Sequence, residues 1–202
     1  MIEKKIIAMK KEELKAIEFI KQTIGKGKLS QIKIEKTPMG EKIIIVTARP
    51  GAVIGRRGET IADLTNVLKE KFKFQNPRLE ISEIEHPDFD AQNVADQIAL
   101  SLESFGANSF KIIAYKQMER VKRAGALGCE IVLSGKLPGE KARSWRFAFG
   151  YLKKTGDYAN LVNKAQAVSQ TRPGTTGIKV SILPGGIKIP DRIEMPKKEE
   201  QK

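Results

Sequence analysis

The chain has 202 residues, enough for two small domains or one of medium size with a real hydrophobic core. Its 37 Lys and Arg exceed its 24 Asp and Glu, giving a net charge of +13 that predicts a polyanionic partner. The single cysteine, Cys129, excludes an internal disulfide framework, and there is neither a long apolar run nor a signal-peptide pattern. We therefore expect a reducing, cytoplasmic location and no membrane contact.

The positive charge is concentrated in one part of the chain. Residues 111–154 carry eleven Lys and Arg and three Asp and Glu, so that 11 − 3 = 8 of the 13 net charges lie there. A lysine-rich solvated surface is the ordinary explanation for a basic protein. A bias this local favours instead a patch that faces phosphates.

The first elements predicted along the chain are a helix and two strands. Apolar residues at helical spacing predict a helix from about Lys10 to Ile24, whose buried face consists of Leu14, Ile17, Ile20 and Ile24. Period-two patterns predict strands at about 31–35 and 43–46, and Pro50 then opens a very short helix.

Two glycines flank two arginines just beyond this short helix, in the tetrapeptide Gly55-Arg56-Arg57-Gly58. Glycine lacks a Cβ, so it permits a tight turn and lets a phosphate approach the main chain closely. The arginines supply charge and planar donors, and a helix predicted over about 59–72 points its free N–H groups to the same place. The four residues alone are also typical of a plain helix-turn-helix corner.

The order of the elements favours a loop that contacts phosphates over a plain helix-turn-helix corner. A strand at about 78–84 completes the order helix, strand, strand, short helix, G-x-x-G loop, helix, strand. This is the order of a type II KH fold, in which the loop clamps RNA. We predict a KH domain over residues 10–86, with its boundary at the break His86-Pro87-Asp88. Its RNA-binding residues are predicted to be Arg49, Gly55, Arg56, Arg57 and Gly58.

Residues 90–183 predict a second domain that begins with two helices. Asp90 begins the first helix, which ends near Gly106 and buries Val94, Ile98 and Leu102. The second runs from about Ser109 to Arg123, with Phe110, Ala114, Met118 and Val121 on its inner stripe. Its cations are opposed by Glu119 alone and therefore favour an RNA-facing surface. The residues predicted to bind RNA there are Lys111, Lys116, Arg120 and Arg123.

Beyond Gly128 the hydrophobic period changes to two, which predicts four strands at about 129–134, 144–151, 161–171 and 177–183. Aromatic residues on one face of the second strand are expected in the core rather than stacked on bases: Trp145, Phe147, Phe149 and Tyr151. The cations in and beside the preceding loop are better placed to contact phosphates. They are Lys136, Lys141, Arg143 and Arg146. We expect an α/β (α+β) domain of two helices on a mostly antiparallel four-stranded sheet, followed by an extended or disordered tail over 184–202.

The sequence contains no set of residues typical of catalysis or metal binding. It lacks a Cys/His cluster, a Gly-Lys-Ser/Thr phosphate loop, and a spaced Ser/His/Asp or Cys/His set. We therefore expect no catalysis, no metal and no cofactor.

Three groups of motifs resemble the universal small-subunit ribosomal protein S-three family. They are Arg49-Pro50-Gly51 through Gly58-Glu59, then Gly125 to Glu130 with Ser134 to Leu137 and Lys141 to Ser144, and finally Gly174 to Val180. They occur in the family's order and span about residues 10–183. The Gly128-Cys129-Glu130 variant is similar to archaeal or eukaryotic members.

This resemblance implies a place in the head of the small ribosomal subunit, beside the channel by which mRNA enters. It implies rRNA, mRNA and ribosomal proteins S-ten and S-fourteen as partners. In family members, basic residues on the helix of the second domain face incoming mRNA. The family's paired arginines correspond here to Lys111 and Ile112, so that one charge remains, and Lys116 and Arg120 are expected to supply the rest.

Two functions of other classes stay open on the sequence alone. One is a free RNA chaperone or regulator that uses its KH domain outside the ribosome. The other is an enzyme, for example a lyase that acts on damaged nucleic acid through a lysine. The enzyme is disfavoured because no lysine lies in an evidently apolar segment that would lower its pKa.

Overall fold

The computed structural model describes residues 2–37, 40–72, 74 and 76–187. Most of the predicted tail, residues 188–202, lies outside the described residues. The elements are α1 (Ile2–Ile24), β1 (Gln31–Thr37), β2 (Gly40–Thr47), α2 (Pro50–Ile54), α3 (Glu59–Phe72), β3 (Arg78–Glu83), α4 (Ala91–Phe105), α5 (Phe110–Arg123), β4 (Gly128–Gly135), β5 (Arg143–Gly150), β6 (Asn163–Thr171) and β7 (Gly174–Leu183). Short 3₁₀ turns lie at Arg56–Gly58, Ala107–Ser109 and Asp157–Asn160.

The first half folds around a three-stranded sheet in the order β1-β2-β3. β1 runs antiparallel to β2, while β2 and β3 are parallel. A parallel pair needs a long crossover, and α2, the G-x-x-G loop and α3 provide it. Helices α1 and α3 bury their apolar stripes with this sheet, in a core that includes Ile20, Val53, Leu68, Ile43 and Ile45. The predicted type II KH fold is confirmed.

Helix α1 differs from its prediction in length and in its buried face. It begins at Ile2 rather than near Lys10, and the added turns carry Ile2, Ile6 and Met9 with exposed side chains. The prediction that Leu14 is buried is wrong, since its side chain is 56% exposed. Ala16 takes the buried position beside Ile20 instead.

The second half is a four-stranded sheet in the order β5-β4-β7-β6, in which every neighbouring pair is antiparallel. Helices α4 and α5 cover one face, as predicted. The core between them contains Ile98, Leu102 and Phe110 from the helices and Ile131 and Val180 from the sheet. Cys129 in β4 is part of this core, and burial raises the pKa of its thiol to about 12.

The aromatic face of β5 is buried only in part. Phe147 is buried and Phe149 is partly buried against the core. Trp145 is 36% exposed and Tyr151 is 48% exposed, so the prediction of a core position is wrong for these two. β5 is an edge strand, and residues toward its ends therefore have fewer neighbours to cover them.

The turn after α1 fastens the first half of the chain to the second. Lys26 Nζ lies 3.0 Å from Glu103 Oε1 on α4 and donates a second hydrogen bond of 3.0 Å to the carbonyl of Val168 on β6. The backbone N–H of Gly27 donates to Asp96 Oδ2 at 3.0 Å. Glu103 and Asp96 both lie on α4, so this helix connects the two domains.

Asp96 makes this connection sensitive to pH. Burial raises the pKa of its carboxyl above the ordinary value of 3.8, against the lowering effect of hydrogen bonds from Gly27 and Gln92. The folded state therefore holds the proton more tightly than the unfolded state does. This carboxyl's contribution to stability is fully present below about pH 3.8 and is lost as the pH rises through the folded pKa.

Asp96→Asn should become more stable relative to the wild type as the pH is raised from about 4 to about 7. The amide cannot ionise, yet its oxygen still accepts a hydrogen bond from the Gly27 N–H. Asp96→Ala leaves that N–H without an acceptor and should cost about 1–3 kcal/mol at either pH. Urea unfolding of the three proteins at both pH values measures these differences. A stability difference between Asp96→Asn and the wild type that does not change with pH would contradict the expectation.

Candidate nucleic-acid interface

The G-x-x-G loop has an unusual backbone at three of its four residues. Gly55 has φ +76° and ψ −177°, and Gly58 has φ +81°. Arg57 between them has φ +54° and is the one non-glycine residue with positive φ in the described part of the chain. Left-handed backbone at a non-glycine residue costs about 1–3 kcal/mol and is concentrated at functional sites. Arg56 and Arg57 are both exposed, so the loop presents two cations to solvent.

The two glycines of the loop have different roles. A Cβ on Gly55 would lie 2.0 Å from Oγ1 and 2.8 Å from Cβ of Thr60, in the first turn of α3. A Cβ on Gly58 would meet nothing within 4 Å. Gly55 therefore lets the loop pack closely on α3, while Gly58 leaves open the side that a phosphate can approach.

The backbone of Arg49 is held in place by the end of β2. The buried hydroxyl of Thr47 donates to the carbonyl of Lys28 and accepts a 3.0 Å hydrogen bond from the Arg49 N–H. The Arg49 side chain is exposed at the start of α2. The connection from β2 to α3 thus contains the three predicted cations of this half, Arg49, Arg56 and Arg57.

Two of the four predicted cations on α5 are engaged within the protein. Arg120 Nε lies 2.7 Å from Asp88 Oδ1, and its Nη1 donates to Gln97 Oε1 at 2.9 Å. Arg120 therefore ties α5 to α4 and to the segment before it. Arg123 pairs with Glu119 at 2.6 Å on its own helix, an exposed contact that contributes about 0–1 kcal/mol and is readily exchanged for a phosphate.

Lys111 lies beside a partly exposed aromatic group. Its Nζ is 4.7 Å from the ring centroid of Trp145 and 5.9 Å from that of Phe110. The next residue, Ile112, is 72% exposed and places an apolar side chain on this surface. Lys116 is exposed on the same helix, and the described residues place no acidic partner against it. Of the four predicted α5 cations, Lys111 and Lys116 are thus the two that carry no ion pair within the described residues.

The four cations predicted in and beside the loop before β5 lie in two different parts of the structure. Lys136 and Lys141 are exposed in the β4–β5 connection, which is anchored by the buried side chain of Leu137, and Arg143 is exposed at the start of β5. Arg146 lies further along β5, where it forms an ion pair with Glu130 of β4. Because the neighbouring Phe147 points to the helices, Arg146 lies on the opposite side of the sheet.

This opposite side carries cations that the sequence analysis did not single out. We call it the open sheet face, defined by Glu130, Arg146, Lys164 and Lys179. Lys164 and Lys179 are exposed, and they alternate with inward-facing Ala165 and Val180. That period-two alternation in β6 and β7 was the signal that could have revealed them.

The described residues contain no group of three or more His, Cys, Asp and Glu that could hold a metal ion. Within the same part of the chain, no helix is both long and apolar enough to cross a bilayer.

Comparisons with known proteins find a matching family for each half of the chain. Residues 15–89 match the KH domain family, and residues 98–182 match the family described as Ribosomal protein S3, C-terminal domain. The chain is 40% identical to the small ribosomal subunit protein uS3 of Methanocaldococcus jannaschii, covering 96% of this chain and 92% of that protein. It is 37% identical to uS3 of Methanococcus vannielii, over 96% of this chain and 91% of the relative. With both domains present in this order, the chain belongs to the ribosomal protein S3 family.

Proposed function

We propose that this protein is a structural, rRNA-binding component of the small ribosomal subunit. The observation that carries the proposal is the similarity over 96% of the chain to proteins named small ribosomal subunit protein uS3. The exposed arginines of the G-x-x-G loop and the excess charge of residues 111–154 support it, because an rRNA partner supplies phosphates to both.

The mechanism in this proposal is electrostatic and geometric. Exposed Lys and Arg neutralise rRNA phosphates and release counterions, while the loop and helix ends fit the shape of an RNA junction. The KH half, residues 10–86, acts through Arg49, Arg56 and Arg57. The second half, residues 90–183, acts through Lys111, Lys116 and Arg123 on α5, and through Lys136 and Lys141 in the β4–β5 connection with Arg143 at the start of β5.

We also propose where in the small subunit the protein lies. The protein lies in the head of the subunit, beside the channel by which mRNA enters, in the cytoplasm. Its neighbours are ribosomal proteins S-ten and S-fourteen. Lys111 and Lys116 face incoming mRNA, and Ile112 leaves this surface with less charge than paired arginines would give it.

Sedimentation of the chain in a lysate gradient, at low and then at high salt, tests the proposal. We expect stoichiometric travel with small subunits that survives moderate salt. A peak at the top of the gradient at both salt concentrations would contradict it and favour a free RNA-binding protein.

Trp145 should report on RNA binding near Lys111. It is the only tryptophan of the chain, and Lys111 Nζ lies 4.7 Å from its ring. Single-stranded RNA should quench its emission, and added salt should reverse the quenching. Lys116→Glu should weaken this binding about tenfold, since a charge-assisted contact contributes about 1.5–3 kcal/mol.

Lys15→Glu is the matched control, because Lys15 is an exposed lysine on α1 and the substitution changes the net charge equally. It should weaken the quenching much less than Lys116→Glu does. Equal effects of the two substitutions would remove the argument for a specific RNA surface on α5.

A further inference from the structure

The open sheet face forms an ordered surface because the register aligns its residues across all four strands. One row across the sheet consists of Arg146, Val132, Lys179 and Gln166. The next consists of Ala148, Glu130, Ser181 and Lys164. Adjacent strands lie about 4.8 Å apart, so each row extends about 14 Å. Within this one face the cations therefore extend from one edge strand to the other, with Arg146 on β5, Lys179 on β7 and Lys164 on β6.

The charge of this face is strongly positive. Three cations of the face, Arg146, Lys164 and Lys179, are joined by Lys154, whose Nζ reaches Glu130 from the segment after β5, so that with the one carboxylate the net charge is 4 − 1 = +3. That carboxylate, Glu130, is neutralised twice, by Arg146 and by Lys154 at 2.9 Å. The described residues place no carboxylate within ion-pairing distance of Lys164 or Lys179.

The side chains between the cations are mostly short, and none of them is aromatic. The third row consists of Ser144, Ser134, Gly177 and Val168. None of the three rows contains a Phe, Tyr or Trp on which a base could stack, whereas single-strand-binding sheets depend on such rings. A surface with cations on both edge strands and no stacking residue fits the outside of a double helix, whose bases are already stacked within it.

We propose that the open sheet face binds the sugar-phosphate backbone of double-helical RNA, independently of sequence. The inference rests on the proposed function in one respect, that the ligand is RNA. It adds a second RNA surface, on the side of the sheet opposite α5 and on a different domain from the G-x-x-G loop. Lys164 and Lys179 contact phosphates directly, and Arg146 joins them by exchanging Glu130 for a phosphate.

Binding of the full chain to two labelled RNAs tests this assignment. The first is a short RNA hairpin of arbitrary sequence, and the second is oligouridine, which has no duplex. Lys164→Glu with Lys179→Glu should weaken hairpin binding at least tenfold and lower the salt slope by about 2, and should leave oligouridine binding nearly unchanged. Lys164→Gln with Lys179→Gln, which introduces no negative charge, should show a smaller loss in the same direction.

The matched control is Lys4→Glu with Lys5→Glu, two exposed lysines of α1 whose reversal changes the net charge by the same amount. This control should weaken hairpin binding much less. Glu130→Gln should strengthen hairpin binding, because it removes the carboxylate that competes with phosphate for Arg146 and Lys154. Circular dichroism of each variant checks that the fold is retained.

Three results would overturn the inference. The first is a hairpin affinity that Lys164→Glu with Lys179→Glu leaves unchanged, and the second is equal losses from the α1 control. The third is crosslinking of Lys164 and Lys179 in purified subunits to an acidic protein instead of RNA. If the chain sediments with small subunits but gives one of these results, the inference fails and the proposed function stands. If the wild type binds the hairpin through these lysines but never sediments with subunits, the proposed function fails.

Discussion

Gly55→Ala should lower the free energy of unfolding by about 3 kcal/mol. Its backbone, at φ +76° and ψ −177°, lies in a region that is essentially restricted to glycine and costs other residues about 1–3 kcal/mol. The new methyl group would also lie 2.0 Å from Thr60 Oγ1, which forces either the loop or α3 to move. Such overpacking adds about 1–3 kcal/mol. Urea unfolding followed by far-UV circular dichroism measures the loss.

Gly58→Ala provides the control within the same loop. Its φ of +81° is also left-handed, but the added methyl group meets nothing within 4 Å. We expect a loss of about 1 kcal/mol, from backbone strain alone. Gly55→Ala with Thr60→Gly should recover part of the first loss, since it removes the contacting side chain. Equal losses at the two glycines would show that close packing on Thr60 is not the cause.

The first half of the fold was predictable because its signals are local. Helical spacing, the period-two strands and the paired glycines each act over a few residues, and their order is enough to indicate the KH topology. The error at Leu14 has a physical cause. Periodicity places a residue on one side of a helix, but only the packed sheet decides how wide the buried stripe is.

The candidate site was less predictable because ion pairs join residues that are distant in sequence. Helical spacing placed Arg120 on an outer face, yet nothing in that spacing indicates that Asp88 and Gln97 would meet it there. Arg146 was likewise grouped with the β4–β5 connection, although the strand register places it against Glu130. The charge of a segment can be counted from the sequence, whereas its availability to RNA depends on tertiary partners.

The exposure of Trp145 also depends on tertiary structure that the local sequence does not show. Alternation correctly places it on the helix side of β5, together with the buried Phe147. Its exposure results from the strand order, which puts β5 at the edge of the sheet. In the order β5-β4-β7-β6, strands joined by connections of different lengths become neighbours. The residue pattern within each strand does not specify this order.

Arg56→Asp with Arg57→Asp should weaken binding of single-stranded RNA by at least a hundredfold. Both side chains are exposed in a loop whose backbone is held in place by Gly55 and the left-handed Arg57. Each lost charge-assisted contact contributes about 1.5–3 kcal/mol, and about 1.4 kcal/mol corresponds to a factor of ten. The salt slope should fall by about 1.4, at about 0.7 for each phosphate contact of a single strand. Fluorescence anisotropy with labelled oligouridine at several salt concentrations measures both quantities.

Two controls separate the loop from the overall charge. Lys4→Asp with Lys5→Asp lowers the net charge from +13 by the same 4 units, on exposed α1 residues outside the loop, and should cost much less affinity. Arg56→Lys with Arg57→Lys keeps the charge but loses the planar, bidentate donors, so an intermediate affinity is expected. If the α1 pair and the loop pair weaken binding equally, then net charge alone attracts RNA and the G-x-x-G loop is not its contact. If only the loop pair weakens binding, the strained backbone of this loop serves to hold two arginines against a phosphate backbone.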